Sequence, residues 1–395
     1  MIIYNKEWLN STSIQHEAAI AFAQGDIDTE EHNNIKKKYP VGFYSPNIFM
    51  RAGIFLLTLV ILSFSIGLLS LFLYDFKIID SFYYLLFLGV VTYVALEFMV
   101  IVKHHYQSGA DDALMWVSAG LLLFAYIFMM DSISLSKKIQ QEELFISGFI
   151  FLLSAYFTAR FADILIAITC MLSFAAFIFY GWMEIGFYAL QTLPFLMMVL
   201  SGAIYYAADL LLQRRMYPFY NNCISAIKMI SLLLLYLSGN YFIVRELGAS
   251  LSDAALEEGQ YIPFAWFFWL WTFIIPLLYI GFGLKKKDVV LLRGGFILVA
   301  VAAFTFRNYY HILPTELVLV LVGIALIGIA WFTMKYLKSP RNGFTAAEIA
   351  DGHILDKIQV ESLIVGETLS SQPVGTDSHR MGGGNFGGGG SSGSF

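Results

Sequence analysis

Ten runs of mostly apolar residues, each roughly 16 to 24 residues long, occupy this sequence between residues 53 and 336. A run of about 20 apolar residues matches the roughly 30 Å hydrocarbon core of a bilayer. Charged residues make up only 13% of the chain, and soluble domains carry about a quarter, so there are too few to coat a globule. The sequence therefore predicts an all-α, polytopic transmembrane helix bundle of about ten spans, surrounded by a lipid bilayer.

Two of the predicted spans meet in a tight turn around Arg160 and Asp163. If the elements on either side of this turn were one re-entrant element, the count would be nine and the later topology would invert. The ten spans are predicted near residues 53–74, 82–102, 113–130, 144–159, 164–182, 187–208, 223–243, 262–284, 289–306 and 315–336.

The distribution of positive charge favours ten spans. Of the 24 lysine and arginine residues, 18 fall on the side of the N-terminus in the ten-span arrangement, five fall on the other side, and Lys228 lies inside a span. Cytoplasmic loops of membrane proteins are enriched in these residues. The bias therefore predicts that both termini lie in the cytoplasm. Since residues 1–47 are polar, we expect an internal, uncleaved anchor rather than a signal peptide.

The N-terminal region, residues 1–47, is predicted to form a cytoplasmic helical hairpin over 12–38. Gly25 is placed to end one helix, and Asp28 with Glu31 forms a capping-box pattern that starts the next. This hairpin could dock a protein partner, or it could be an amphipathic cover for the inner face of the bundle.

The C-terminal region follows the bundle, which we place at residues 48–338. Residues 339–366 are predicted to form a short cytoplasmic segment. Residues 367–395 are rich in Gly and Ser and too poor in apolar residues to offset their ordering entropy, so we predict a disordered tail. That tail is a second candidate region for a protein partner.

Several function classes are disfavoured by composition and motifs. The formal net charge of −5, with no basic stripe interleaved with aromatic residues, argues against a nucleic-acid partner. No Gly-rich phosphate loop, HExxH, GxSxG or CxxC pattern occurs, so we predict no catalytic residue, cofactor or metal from a motif. Cys170 and Cys223 lie in or beside apolar runs and are expected to be buried thiols.

A set of ionisable residues stands just inside the predicted span ends on the N-terminal side: Glu97, Asp209, Lys228 and Arg293. At about 1.5 Å per residue, each lies roughly 9 Å within the membrane boundary. A charge at the membrane centre costs about 2.5–3.5 kcal/mol on insertion scales, and pairing of acids with bases lowers that cost. Arg160 and Asp163 lie near the same boundary and extend the candidate cluster.

This charge cluster has two interpretations. The functional one is a polar cavity, open to the cytoplasm, that binds an ion or a charged head group. The structural one is that Lys228 and Arg293 extend toward the interface while the carboxylates form fixed pairs. In either case we expect Glu97 and Lys228 to pair with each other.

A second candidate site is the loop that contains His104, His105, Asp111 and Asp112. Histidines and aspartates so close together suggest a metal site. Adjacent histidines do not share a helix face, however, and no His-x₃-His spacing occurs. A cap at the start of the third span explains the two acids without a metal.

A third candidate site lies on the predicted outer side, where Arg307, His311 and Glu316 stand close together in the sequence. Such a group could form an acid–base site that faces the exterior. The alternative is structural, since the helix dipole favours an acid such as Glu316 in the first turn of the tenth span.

Three stretches resemble a group of uncharacterised multi-pass bacterial membrane proteins of the Bacteroidetes type: residues 39–48 (YPVGFYSPNI), 95–99 (ALEFM) and 106–116 (YQSGADDALMW). The arrangement is also similar to domain-of-unknown-function families with a helical hairpin before the first span. The Gly-rich, Phe-terminated tail is similar to the tails of membrane proteins that carry a TPM-type domain. The resemblance implies a multi-pass protein of the bacterial cytoplasmic (inner) membrane and brings no assigned activity.

Three hypotheses about function follow from the sequence. The first is transport of an ion, a small solute or a lipid through a cavity lined by the charge cluster. The second is a non-enzymatic membrane scaffold or assembly factor that acts through the hairpin and the tail. The third is an intramembrane enzyme with its site at His311 or in the His104 loop.

Overall fold

The computed structural model describes residues 2–309, except for 75–77, 80, 133–141, 187, 215, 252–262 and 287, and isolated positions between 320 and 335. Almost all of this part of the chain is helical, and no strand occurs in it. The predicted segment at 339–366 and the predicted tail at 367–395 lie outside the described residues.

The predicted membrane bundle is confirmed. Within the described residues, nine helices are long and apolar enough to cross a membrane, and each overlaps one of the first nine predicted spans. The tenth predicted span, 315–336, lies outside the described residues apart from isolated helical positions. In chain order the spanning helices are α3 (Ile48–Leu73), α4 (Phe82–Ile101), α5 (Ala110–Ser132), α6 (Glu142–Phe161), α7 (Ile164–Met183), α8 (Ala189–Gln213), α9 (Asn221–Leu237, preceded directly by the 3₁₀ turn Pro218–Tyr220), α11 (Ala265–Lys286) and α12 (Val289–Tyr309).

The tight turn at Arg160 and Asp163 joins two separate helices, and each is long and apolar enough to cross a membrane by itself, which favours two spans over one re-entrant element. Helix α6 ends at Phe161 and α7 begins at Ile164. The Asp163 carboxylate caps α7 by accepting a hydrogen bond from the Ile166 backbone N–H at 2.9 Å. The Asp163 cap therefore starts α7 only three residues after the last residue of α6.

The predicted seventh span, 223–243, is shorter than expected. Helix α9 ends at Leu237, and a separate short helix, α10 (Tyr241–Leu251), follows. The fully buried Asn240 divides them, because its side-chain oxygen accepts hydrogen bonds from the backbone N–H groups of Phe242 and Ile243. The residues Ser238-Gly239-Asn240 are typical of a turn, but the apolar residues on both sides predicted one continuous span.

The N-terminal helical hairpin is confirmed, although its first helix begins earlier than predicted. Helix α1 runs over Lys6–Gln24 and α2 over Thr29–Lys38. Gly25 ends α1 with a φ of 78°, a left-handed conformation that costs glycine little. Both reciprocal hydrogen bonds of the Asp28–Glu31 capping box are formed.

The hairpin packs on one end of the bundle, which we call the hairpin end. The Ile3 backbone N–H donates to the Arg160 carbonyl at 3.0 Å, and the Trp8 ring meets the His104 ring edge-on at 4.9 Å. The buried core beneath it combines α1, α4, α5, α6 and α7: Tyr4, Leu9, Leu96, Val100, Leu114, Met115, Phe157, Phe161 and Ile166. A second core joins α9, α11 and α12: Leu232, Tyr236, Tyr279, Leu291 and Leu298.

Candidate functional site

The charged side chains that form ion pairs between described elements lie at the hairpin end. Consecutive spans run in opposite directions, so these residues stand alternately at the beginning and at the end of a span. They form three separate groups within the described residues. One is centred on Lys228, one on the Glu97–Arg160 pair, and one on the Arg51–Asp112 pair.

The first group is a lysine shared between two carboxylates. Lys228 lies in α9 and is only 5% exposed. Its ammonium lies 2.8 Å from Asp209 of α8 and 2.5 Å from Asp288, which precedes α12. One side chain therefore connects three elements of the bundle. We call Lys228, Asp209 and Asp288 the lysine triad.

Asp288 is the functional candidate that the sequence analysis missed. It follows a run of three lysines that begins in the last turn of α11, where a solvated loop was the simplest expectation. In the structure its carboxylate also caps α12 by accepting hydrogen bonds from the Val290 and Leu291 backbone N–H groups. Burial acts to raise the pKa of Asp288, but the Lys228 ammonium and these N–H donors more than offset it, so the pKa lies below its usual value.

Two tyrosines lie near the lysine triad. The Lys228 ammonium lies 5.5 Å from the centre of the Tyr205 ring, within range of a cation–π interaction. Tyr279 lies deeper and donates its hydroxyl to the Leu232 carbonyl at 3.0 Å. Asp209 has a further partner, since its second oxygen accepts a hydrogen bond from the Gln213 amide at 2.7 Å.

The second group links α4 to α6. The Arg160 guanidinium donates two hydrogen bonds to one oxygen of Glu97, at 2.7 and 3.1 Å. The same oxygen accepts the Tyr93 hydroxyl at 2.6 Å, and Tyr93 shares a hydrogen bond with Tyr156. Both charged side chains are about 30% exposed, so the pair is screened more than the lysine triad.

The third group joins α3 to the start of α5. Arg51 donates to the Asp112 carboxylate at 2.7 Å. The neighbouring Asp111 is buried and accepts hydrogen bonds from the backbone N–H groups of Gln107 and Ser108, and from the Ser108 hydroxyl. These contacts place both acids in helix-start roles, as the alternative interpretation of this loop expected.

The expected pairing of Glu97 with Lys228 is wrong. Glu97 pairs with Arg160, whereas Lys228 pairs with Asp209 and Asp288. Arg293 does not join either group, because it is exposed on α12 and makes no ion pair with a described residue. The sequence predicts the depth of each residue in the membrane, but it does not show which helices pack against each other.

Asp163 does not extend the cluster through Arg160, since its carboxylate caps α7 instead. It lines a small pocket with Asp111, Asp112 and the buried Tyr4. Burial, together with the nearby Asp112 carboxylate, raises the pKa of Asp163.

The histidine loop is a docking point for the N-terminal region. His104 packs against Trp8, and the Nδ1 atom of His105 shares a hydrogen bond with the Ser108 hydroxyl at 2.7 Å. Burial lowers the pKa of His105. Over the described ranges, no group of three or more His, Cys, Asp or Glu side chains has a geometry that holds a metal ion.

The candidate acid–base group on the opposite side is largely outside the described residues, because His311 and Glu316 both lie there. Arg307 is described and occupies the last turn of α12, at the end opposite the hairpin.

The fold and these ion pairs define a multi-pass α-helical integral membrane protein with buried charges near one end of its spans. Comparison with models of known families, with curated proteins and with solved structures finds no match to this chain.

Proposed function

We propose that this membrane protein is a cation-coupled transporter and that the lysine triad is its coupling site. The observation that carries the proposal is one buried lysine shared between carboxylates of two separate elements, α8 and the α11–α12 turn. The cargo would be an ion, a small solute or a lipid.

The charge balance of the triad supports a bound cation. One ammonium faces two carboxyl groups, so the three side chains carry one net negative charge when all are ionised. An uncompensated charge in a desolvated position is costly. A proton or a monovalent cation at one carboxylate offsets that cost, and ionisable residues within spans are the usual markers of ion pathways.

Asp209 is the carboxylate at which we place the exchangeable cation. Besides Lys228, Asp288 accepts hydrogen bonds from two backbone N–H groups, whereas Asp209 accepts one from the Gln213 side-chain amide. When a cation neutralises Asp209, Lys228 stays with Asp288 and the link to α8 is lost. Cation binding is thereby coupled to movement of α8 against α9 and α12, which alternating access requires.

We place the protein in the bacterial inner membrane with both termini in the cytoplasm. The support is the concentration of lysine and arginine at the hairpin end, where Lys103, Arg214 and Lys285 lie next to span ends. The bacterial origin depends on the family resemblance of residues 39–48, 95–99 and 106–116, which stays a prediction. A tag in the segment 246–260 should react with an impermeant reagent in intact spheroplasts, and protection until lysis would contradict this topology.

Proton flux into proteoliposomes tests the transport proposal. Purified protein is placed in liposomes that contain a pH-sensitive dye, and an inside-negative potential is applied with and without a sodium gradient. We expect a change in the internal pH that depends on the protein and is lost in Asp209→Asn and Lys228→Met.

The matched control is Glu97→Gln, which removes a carboxylate at similar depth from a separate group and should keep the flux. Proteoliposomes as tight as protein-free liposomes under every gradient would contradict the proposal. Full flux in both triad variants would show that transport does not use the triad.

A further inference from the structure

A cavity of about 700 Å³ opens at the hairpin end between α6, α7, α9 and the segment 216–220. Its size lies within the range of about 300–1,000 Å³ that is usual for small-molecule sites. Its walls are mainly apolar and include Ala155 of α6 and Ile224 and Ile227 of α9. Its described lining includes no member of the lysine triad, so the cavity is distinct from the coupling site.

The mouth of this cavity carries positive charge. Lys6 is the charged side chain among the described lining residues, and it is exposed without an ion pair to a described residue. The 3₁₀ turn Pro218–Tyr220 leads directly into α9 at the same mouth, and the Asn221 backbone N–H donates to the Pro218 carbonyl. Lys6 is therefore the group at this opening that favours a negatively charged head group.

The cavity extends from the interface level into the hydrocarbon level. Tyr217 and Phe219 border it on the loop side, as aromatic residues do at a membrane interface. The Tyr220 hydroxyl donates to the Ala159 carbonyl at 2.6 Å and so fixes this segment to α6. From Tyr220 to Ile227 the wall descends about 10 Å along α9, at about 1.5 Å per residue.

We propose that this cavity binds an anionic phospholipid, with an acyl chain between α6, α7 and α9 and the phosphate at Lys6. The apolar walls match a hydrocarbon chain, and the cationic mouth matches the phosphate at the depth where lipid head groups lie. This lipid site does not depend on the proposed transport function.

Native mass spectrometry of the delipidated full-length protein tests the lipid site. Phosphatidylglycerol and phosphatidylcholine with identical chains are added separately in detergent. We expect one phosphatidylglycerol retained per chain at concentrations where phosphatidylcholine is not retained. Lys6→Ala should weaken retention roughly tenfold, as expected for loss of one charge-assisted hydrogen bond. Lys36→Ala, which removes an exposed lysine of α2, should behave like the unmodified protein.

Alkylation of Cys170 gives an independent measurement within the cavity. The chain has two cysteines, and both line this cavity. Phosphatidylglycerol should slow alkylation of Cys170 in the unmodified protein and fail to do so in Lys6→Ala.

Two outcomes would overturn the proposal. Equal retention of the two lipids, or unchanged retention in Lys6→Ala, would show that the mouth does not select an anion. Undiminished retention in Ile227→Trp, which fills the cavity, would place the lipid elsewhere. Because Lys6 is exposed, the Lys6→Ala result stands even if Ile227→Trp fails to fold.

Discussion

The Glu97 carboxylate and the Arg160 guanidinium are joined by two hydrogen bonds, at 2.7 and 3.1 Å, across α4 and α6. A double-mutant cycle of Glu97→Gln with Arg160→Met should therefore show coupling of about 0.5–3 kcal/mol. We expect the lower part of that range, since both side chains are partly exposed. The measurement is thermal unfolding in detergent.

The control for this cycle is Glu97→Gln combined with Lys228→Met. These residues belong to separate groups, so their effects should add. Strong coupling between Glu97 and Lys228, with none between Glu97 and Arg160, would contradict this pairing.

Substitution of the triad lysine alone should destabilise the folded protein more than substitution of all three triad residues. Lys228→Met leaves two carboxyl groups without their cation, and breaking a buried pair costs about 3–5 kcal/mol. The triple variant Lys228→Met, Asp209→Asn and Asp288→Asn leaves no uncompensated charge, and the amide oxygen that replaces the Asp288 carboxylate can still cap α12. A triple variant that unfolds at a lower temperature than Lys228→Met would count against a charge-balanced group.

Gly109 lies where the loop before α5 crosses the backbone of α3. Its φ is 93°, and an added Cβ would meet the Arg51 carbonyl oxygen at 2.1 Å. Gly109→Ala should therefore destabilise the protein by at least about 1–2 kcal/mol, the cost of a left-handed conformation alone. Gly120→Ala in α5 is the matched control, because its Cβ would meet nothing within 4 Å, and it should be neutral or slightly stabilising. Equal melting temperatures for the two variants would contradict the close approach of Gly109 to the Arg51 carbonyl.

Asp163 should make stability depend on pH in a direction set by its raised pKa. The folded state retains the proton to higher pH than the unfolded state, whose pKa is about 4. The contribution of Asp163 to the free energy of unfolding is therefore fully present below about pH 4. It is lost as the pH rises through the folded-state pKa.

Two variants separate this charge effect from the helix cap. Asp163→Asn keeps a capping side chain and should be more stable than the unmodified protein at neutral pH, with the difference vanishing in acid. Asp163→Ala should lose about 0.5–2 kcal/mol of cap stability at acid pH as well. Melting temperatures measured across this pH range decide the point, and an Asn variant that becomes less stable than the unmodified protein as the pH rises would reverse the sign.

The spans could be predicted from the sequence because a membrane-spanning helix is encoded locally, as in the mostly apolar run 53–74, which contains no charged residue. The capping box at Asp28 and Glu31 is equally local, and the structure contains it. The break at Asn240 does not appear in the hydrophobicity, because apolar residues continue on both sides of it. The local signal is the turn-type sequence Ser238-Gly239-Asn240, in which Asn240 caps α10.

The partners of the charged residues could not be predicted for a different reason. Position along a span fixes the depth of Glu97 and Lys228, but the partner depends on which helices are adjacent and which faces they present. Glu97 meets Arg160 because α4 and α6 are neighbours at that depth, at a sequence separation of 63 residues. Asp288 was overlooked because the three preceding lysines indicate a solvated loop, whereas the start of α12 directs its carboxylate toward Lys228.

Hydrogen–deuterium exchange of the end of α8 tests most directly whether Lys228 is a cation-sensitive link. Exchange around Asp209 is compared between the unmodified protein and Asp209→Asn at acid and alkaline pH, after correction for intrinsic exchange rates. We expect protection in the unmodified protein that is lost in acid, and exchange in Asp209→Asn that is fast at both pH values. Protection that is the same in both proteins at every pH would contradict the coupling role of the triad.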